Sequence, residues 1–186
     1  MVLSAAALAL CAPQHASFAG EPSWPTGVYK YVVIDQDIRD VLGEFGRNTN
    51  VPIKLSDQVK GRIRGPLEPG SAAAFLKTLC DGHGLVWYFD GAVLHVSAAN
   101  EIQTAFIDLG PLRPQELTDK LAKLGYADIR YPIKATASAD VVAVSGPPPY
   151  LALIQQTAAA MMRSMPRPAQ EDGFKDEPKV RVFRGG

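Results

Sequence analysis

Two runs of strand-forming residues on either side of Asp90-Gly91 limit what this chain can fold into more than any other feature. The first run is Leu85–Phe89 (LVWYF) and the second is Ala92–Ser97 (AVLHVS). A type I′ turn needs positive φ at both central residues, a conformation that the Asp-Gly dipeptide tolerates. The sequence therefore predicts an antiparallel β-hairpin with a two-residue type I′ turn at Asp90-Gly91.

Periodicity upstream of the hairpin predicts a first small domain over residues 28–98, with the element order β-α-β-β-α-β-β. Val28–Ile34 (VYKYVVI) alternates and is rich in β-branched residues, so we expect it to form the first strand. Asp35 or Asp37 is expected to cap the first helix, and Ser71 the second. The remaining short strands are predicted at 51–55 and 59–64.

A second small domain is predicted over residues 103–164, with the order β-α-β-β-α. Its first helix follows Pro114 and presents Leu117, Leu121 and Leu124 on one face, which we expect to be buried. The other elements are strands at 103–109, 129–134 and 141–145 and a last helix that begins at 147–149. Two small mixed domains of this kind make the predicted fold class α+β.

The N-terminus has the character of a secretory signal peptide, predicted over residues 1–19. No Asp, Glu, Lys or Arg occurs before Glu21, and the apolar run 2–12 is too short to span a bilayer. Ser17-Phe18-Ala19 places small residues where signal peptidase reads them, so we expect cleavage between Ala19 and Gly20. A disordered or core-packed N-terminus and lipidation at Cys11 are the alternatives.

Charge and the distribution of reactive side chains argue against several classes of function. The 19 Lys and Arg residues balance 19 Asp and Glu residues, whereas nucleic-acid-binding proteins normally carry a basic excess. His83 and His95 lack Cys, Asp or Glu at metal-ligand spacing. Asp35, Asp37 and Asp40 lie at a helix start, where carboxylates act as caps. We therefore expect no enzyme activity, no metal, no cofactor and no nucleic-acid partner.

Two apolar features are interpreted as core rather than as binding sites. Cys80 falls on the apolar stripe of the second predicted helix and has no partner for catalysis or a disulfide. Trp87 and Phe89 share one face of the hairpin with Leu85, and we expect them to pack on the helices.

Two sets of residues are candidate protein-interface positions. Lys60, Arg62 and Arg64 occupy alternate positions and line one face of a predicted strand. This face either is solvated and protects the sheet edge, or contacts a neighbouring subunit. Residues 165–186 are rich in proline, glycine and charge and predict an exposed linker or tail. Near its end an alternating set suits strand addition to a protein partner: Val180, Val182 and Phe183.

Three segments together resemble the N-terminal ring domains of secretins, the ring proteins of bacterial export pores. Tyr31–Asn50 with Val51–Gly65 is similar to the opening of the N0 domain, which is also found in signalling domains of TonB-dependent receptors. Gly84–Ser97 is similar to its closing hairpin in type III secretion systems. Ile129–Pro132 with Val141–Thr157 resembles the following KH-like N1 domain.

The resemblance is greatest to the short N-terminal half of split rhizobial type III secretins. It implies a periplasmic, outer-membrane-associated ring component that supports effector export and influences nodulation. Its implied partners are further copies of itself, a separately encoded barrel-bearing secretin half and the inner-membrane ring proteins of the basal body. The alternatives are a free-standing periplasmic adaptor or TonB-receptor-type signalling module, and a truncated gene product; the second domain argues against the signalling module.

Overall fold

The computed structural model describes residues 20–65, 70–138 and 140–165. In chain order the elements are β1 (Gln36–Asp37), α1 (Ile38–Thr49), β2 (Ile53–Leu55), β3 (Arg62–Ile63), α2 (Ala72–Gly82), β4 (Leu85–Phe89), β5 (Leu94–Ala98), a 3₁₀ turn (Ala99–Glu101), β6 (Gln103–Asp108), α3 (Pro114–Lys123), β7 (Ile133–Ala135), β8 (Val141–Gly146) and α4 (Pro148–Ser164). Apart from the 3₁₀ turn, this order confirms the predicted α+β class and the predicted sequence of strands and helices. The strand predicted at 129–134 is displaced: β7 begins only at Ile133, and Ile129 is exposed in a turn region ahead of it. In the described part of the chain, every helix is too short or too polar to span a membrane.

The elements from β1 to β5 surround a first hydrophobic core. Helix α1 begins where Asp37 Oδ1 accepts the Arg39 N–H at 2.8 Å, and α2 begins where Ser71 Oγ accepts the Ala74 N–H at 3.2 Å. The sheet order is β2-β5-β4, with β2 parallel and β4 antiparallel to β5, while β1 and β3 form a separate pair. The first core is lined by apolar side chains of both helices, including Leu42, Phe45, Phe75 and Leu79.

A second hydrophobic core lies between the antiparallel sheet β6-β8-β7 and helices α3 and α4. Leu117 and Leu121 of α3 are buried in it, together with Val144 of β8 and Ile154 of α4. Leu124 was predicted on the same face, but it is 43% exposed. Because α3 ends at Lys123, Leu124 follows the last helical turn and leaves the buried face.

The predicted strand Val28–Ile34 is wrong. Among the described residues this segment forms only an isolated bridge, in which the Tyr29 N–H donates to the Gly70 carbonyl at 2.7 Å, and the first strand comes later, as β1. The alternation instead reflects one-sided packing. Tyr29, Tyr31 and Val33 pack on the first core, while the outward side chains are exposed: Val28, Val32 and Ile34.

The predicted hairpin is present, but its turn is not the predicted type I′ turn. Phe89 pairs with Leu94, so residues 90–93 make the connection. Gly91 has φ of 91°, whereas Asp90 has no positive φ. The Asp90 carboxylate instead accepts the backbone N–H groups of Ala92 and Val93 at 2.9 and 2.7 Å. An aspartate that bonds the backbone two and three residues ahead stabilises a longer turn, which a dipeptide rule does not detect.

Candidate joint and interaction surfaces

Strand β4 belongs to both hydrophobic cores. Successive side chains on a strand point to opposite faces, so Trp87 packs against the first core while Tyr88 enters the second. Tyr88 is fully buried there, with its ring centroid 5.0 Å from that of Tyr150 in an edge-on arrangement. The burial of Tyr88 in the second hydrophobic core was not among the sequence predictions. A signal was available, because Leu85–Phe89 is apolar at every position, which is typical of a strand buried on both faces.

Arg130 and Asp128 lie in the segment between α3 and β7. Arg130 contacts β4 where the two hydrophobic cores meet, and Asp128 pairs with it. The Arg130 guanidinium carbon lies 3.5 Å from the centre of the Trp87 ring. Its Nε and Nη2 donate to Asp128 Oδ1 and Oδ2 at 2.9 and 2.5 Å. The Asp128 side chain is only 3% exposed and that of Arg130 is 35% exposed. A cation over an indole contributes about 0.5–2 kcal/mol, more as the pair is desolvated.

Two tyrosine hydroxyls extend the same contact into the second core. Tyr131 Oη donates to the Trp87 carbonyl at 3.1 Å, and Tyr150 Oη donates to the Tyr131 carbonyl at 2.9 Å. Burial raises the pKa of Tyr131 and the pKa of Tyr150 to about 12 each, so both remain neutral donors near neutral pH. We call Trp87, Tyr88, Asp128, Arg130 and Tyr131 the joint.

Two further observations concern the reactive side chains singled out in the sequence. Cys80 is 2% exposed, and burial raises its thiol pKa to about 12, so little thiolate is available for chemistry. His95 Nε2 lies 2.7 Å from Asp90 Oδ2, which ties the second hairpin strand to its turn. Within residues 20–65, 70–138 and 140–165, no three His, Cys, Asp or Glu side chains are arranged to hold a metal ion.

Two of the basic candidate residues, Arg62 and Arg64, contact Asp35, while Lys60 is exposed and lies outside strand β3. Strand β3 contains only Arg62 of the three, and its Nε lies 2.7 Å from Asp35 Oδ1. Arg64 Nε is 3.5 Å from the same oxygen. The sequence left Asp35 and Asp37 as alternative caps of α1. The cap is Asp37, and Asp35 pairs with arginine instead. The hydrogen bond from Arg62 lowers the pKa of Asp35.

The remaining candidate positions lie at the ends of the chain. Ala19 and the tail positions Val180, Val182 and Phe183 fall outside the described residues. Gly20 is described and is buried beside Ala127 and Asp128, next to the joint.

Comparisons with known proteins agree on one family. A family profile for the N0 domain of the SPI-1 type 3 secretion system secretin matches residues 31–97. Nodulation protein NolW of Rhizobium fredii is 38% identical over 179 residues, which cover 96% of this chain and 76% of NolW. The type 3 secretion system secretin of Xanthomonas euvesicatoria is 34% identical over 183 residues, covering 98% of this chain but 28% of the secretin.

A solved structure extends the similarity to three dimensions. It is a chain in the atomic model of the Salmonella SPI-1 type III secretion injectisome basal body proteins InvG, PrgH and PrgK. The two chains share 26% identity and a TM-score of 0.65, over 72% of this chain and 28% of that chain. This chain therefore belongs to the type III secretion secretin family, in which it is a relative of NolW that carries the N0 domain.

Proposed function

We propose that this chain is a periplasmic, ring-forming subunit of an outer-membrane type III secretion secretin and supports the export of effector proteins. One observation carries the proposal: both hydrophobic cores, joined through β4, occur in a chain that aligns with a basal-body protein of the Salmonella injectisome over 72% of its length. In this proposal residues 28–98 form the N0 domain, residues 103–164 the N1 domain, residues 165–186 the tail, and residues 1–19 a signal peptide.

Two kinds of partner are proposed. The first is a separately encoded, barrel-bearing secretin half, which the resemblance to split rhizobial secretins implies; the chain matches 28% of the Xanthomonas secretin. The name of the Salmonella structure pairs InvG with PrgH and PrgK, and inner-membrane ring proteins of that kind are the second proposed partner. In a rhizobial host, export through this assembly would influence nodulation, as the name of NolW indicates for that protein.

Affinity purification from detergent-solubilised outer membranes tests the proposal. The exported chain carries an affinity tag, and mass spectrometry identifies the proteins that are recovered with it. We expect a barrel-bearing secretin half and inner-membrane ring proteins. Recovery of a lone monomer, together with normal secretin assembly in a strain that lacks the chain, would contradict the proposal and favour a free-standing adaptor.

Two matched pairs of variants test the candidate interfaces in the same assay. Arg64→Glu reverses a charge on a side chain that is 80% exposed, and Arg113→Glu does the same on one that is 83% exposed and lies on another element. If the basic set contacts a neighbouring subunit, only Arg64→Glu reduces the recovered oligomer. For strand addition by the tail, Val182→Asp should reduce recovery of the secretin half more than Arg181→Asp does, because the apolar alternation is lost only in the first.

A further inference from the structure

The first described residues run from the joint to the first hydrophobic core. We call Gly20–Trp24 the N-terminal strap. At one end Trp24 packs against the first core, with its ring centroid 5.5 Å from that of Phe45. Pro22 is buried in the middle, and Gly20 is buried at the other end, beside Asp128 of the joint. The strap therefore links the first core to Asp128 of the joint.

The space around Gly20 is tight and faces a carboxylate. A Cβ added to Gly20 would lie 3.2 Å from the Ala127 carbonyl oxygen and 3.5 Å from Asp128 Oδ2. Because a carbon–carbon bond is about 1.5 Å long, the Gly20 Cα lies within about 5 Å of that oxygen. The Gly20 nitrogen lies about 2.5 Å from that Cβ position, so it is at most about 6 Å from Asp128 Oδ2.

The Asp128 carboxylate can accept a further hydrogen bond. Its side chain is 3% exposed, and among the described residues its hydrogen bonds come from Arg130 alone. That guanidinium is also shared with the face of Trp87. A buried carboxylate is costly unless charged or polar groups compensate it, so a further donor on Oδ2 would stabilise the folded chain.

The other charged groups around this point do not supply that donor. Glu21, Lys77 and Asp81 line the same cavity of about 510 Å³ beside the joint. Lys77 forms an ion pair with Asp81, and their side chains are 75% and 63% exposed. Glu21 is exposed and carries the wrong charge. Gly20 is therefore the remaining source of a positive charge at Asp128, provided that its nitrogen is a free amine.

We propose that cleavage between Ala19 and Gly20 creates an α-ammonium group that binds Asp128, so that the mature N-terminus locks the strap onto the joint. Before cleavage, the Gly20 nitrogen is a neutral amide with one N–H group. Cleavage converts it into a cation with three donors, within the 4–6 Å over which opposite charges interact strongly. This inference rests on the export proposed above, because the amine exists only in a processed chain.

The test compares chains that differ only at the amine. A chain that begins at Gly20 is released from a fusion by a protease that leaves no extra residue, and its α-amino group is then selectively acetylated. We expect acetylation to lower the folded-to-unfolded ratio about tenfold, the size of one charge-assisted hydrogen bond. Acetylation of a control chain with Gly-Ser-Gly ahead of Gly20 should change this ratio less than twofold.

Asp128→Asn identifies the partner. Acetylation should leave the stability of this variant unchanged, and an equal loss in the variant and the parent would overturn the proposal. Since Asp128→Asn also weakens the Arg130 contact and with it the fold, a second readout uses the parent chain alone. The Gly20 amine should react with limiting acetylating reagent about tenfold more slowly than the amine of the extended control. The reaction is slower because the Gly20 amine is buried and paired with a carboxylate. Equal rates would overturn the proposal.

Mass spectrometry of the exported protein identifies its first residue and so tests the cleavage site separately from the contact with Asp128. A mature chain that begins at another residue would contradict cleavage at Ala19 and with it this part of the proposed export. A chain that begins at Gly20 but gains no stability from its free amine would contradict only the contact with Asp128.

Discussion

The Arg130 guanidinium lies 3.5 Å from the centre of the Trp87 ring, so a residue ahead of β7 is fixed on a strand that belongs to the first core. The Asp128 carboxylate accepts hydrogen bonds from Nε and Nη2 along the edge of that guanidinium. The Tyr131 hydroxyl adds a bond to the Trp87 backbone carbonyl. These contacts, together with Tyr88 in the second core, make the relative position of the two cores a consequence of side-chain packing.

Arg130→Ala should destabilise the chain by about 1–3 kcal/mol, because it leaves Asp128 buried without its cation; the loss stays below that of a fully buried pair because Arg130 is partly solvated. Urea unfolding measures the change. Arg113→Ala is the control, since its ion pair with Glu116 involves side chains that are 83% and 43% exposed. We expect a change within about 0.5 kcal/mol there. Equal losses in the two variants would show that the joint contributes nothing.

Tyr88→Phe should leave stability unchanged or raise it. The Tyr88 hydroxyl is buried and finds no hydrogen-bond partner among the described residues, and removing such a group relieves a desolvation cost of about 1–3 kcal/mol. Tyr150→Phe is the matched control, because its hydroxyl donates to the Tyr131 carbonyl at 2.9 Å. That variant should lose about 1 kcal/mol in the same unfolding assay. Loss on Tyr88→Phe equal to that on Tyr150→Phe would mean that Tyr88 has a partner.

Local signals in the sequence predicted the elements that local chemistry determines. Asp37 and Ser71 cap their helices, and the strands of the hairpin pair as the β-forming runs indicate. The alternation of Val28–Ile34 correctly reported one buried face, but it could not report whether a neighbouring strand was available. A hydrophobic pattern specifies which side chains are inward, whereas pairing depends on distant residues.

The joint could not be predicted from periodicity because it depends on contacts between distant parts of the chain. Nothing in the sequence around Arg130 distinguishes it from an ordinary surface charge. The fold places its guanidinium over the Trp87 ring. Asp35 likewise reads as a helix cap beside Asp37, yet the fold places it against Arg62. Charged residues at such positions have several local options, and tertiary structure selects among them.

Arg62→Gln should raise the pKa of Asp35 towards the ordinary aspartate value of about 3.9. In the parent chain the hydrogen bond from Arg62 lowers the pKa of Asp35. The contribution of this pair to stability is therefore present above the ordinary aspartate pKa and is lost as the pH falls through the lowered pKa of Asp35. Carbonyl NMR titration of Asp35 measures the shift. Arg113→Gln should leave it unchanged, and an unshifted Asp35 in Arg62→Gln would contradict the assignment.

Two helical glycines should respond in opposite directions to the same substitution. A Cβ on Gly46 of α1 would lie 2.9 Å from the Val51 carbonyl oxygen and 3.0 Å from Ile53 Cγ1, whereas a Cβ on Gly82 of α2 would meet nothing within 4 Å. Gly46→Ala must push the helix away from β2, so we expect a loss of about 1–3 kcal/mol. Gly82→Ala removes backbone freedom from the unfolded chain and should gain about 0.5–1 kcal/mol.

Thermal and urea unfolding of both glycine variants give the comparison directly. If Gly46→Ala is tolerated as well as Gly82→Ala, then α1 and β2 are not in the close contact that the structure has, and the packing of the first core needs revision. If Gly46→Ala is destabilised as expected, the close approach of helix and strand is set by the absence of a side chain at this one position. The same close approach explains why a glycine stands in the last turn of α1, although alanine has the higher intrinsic helix propensity.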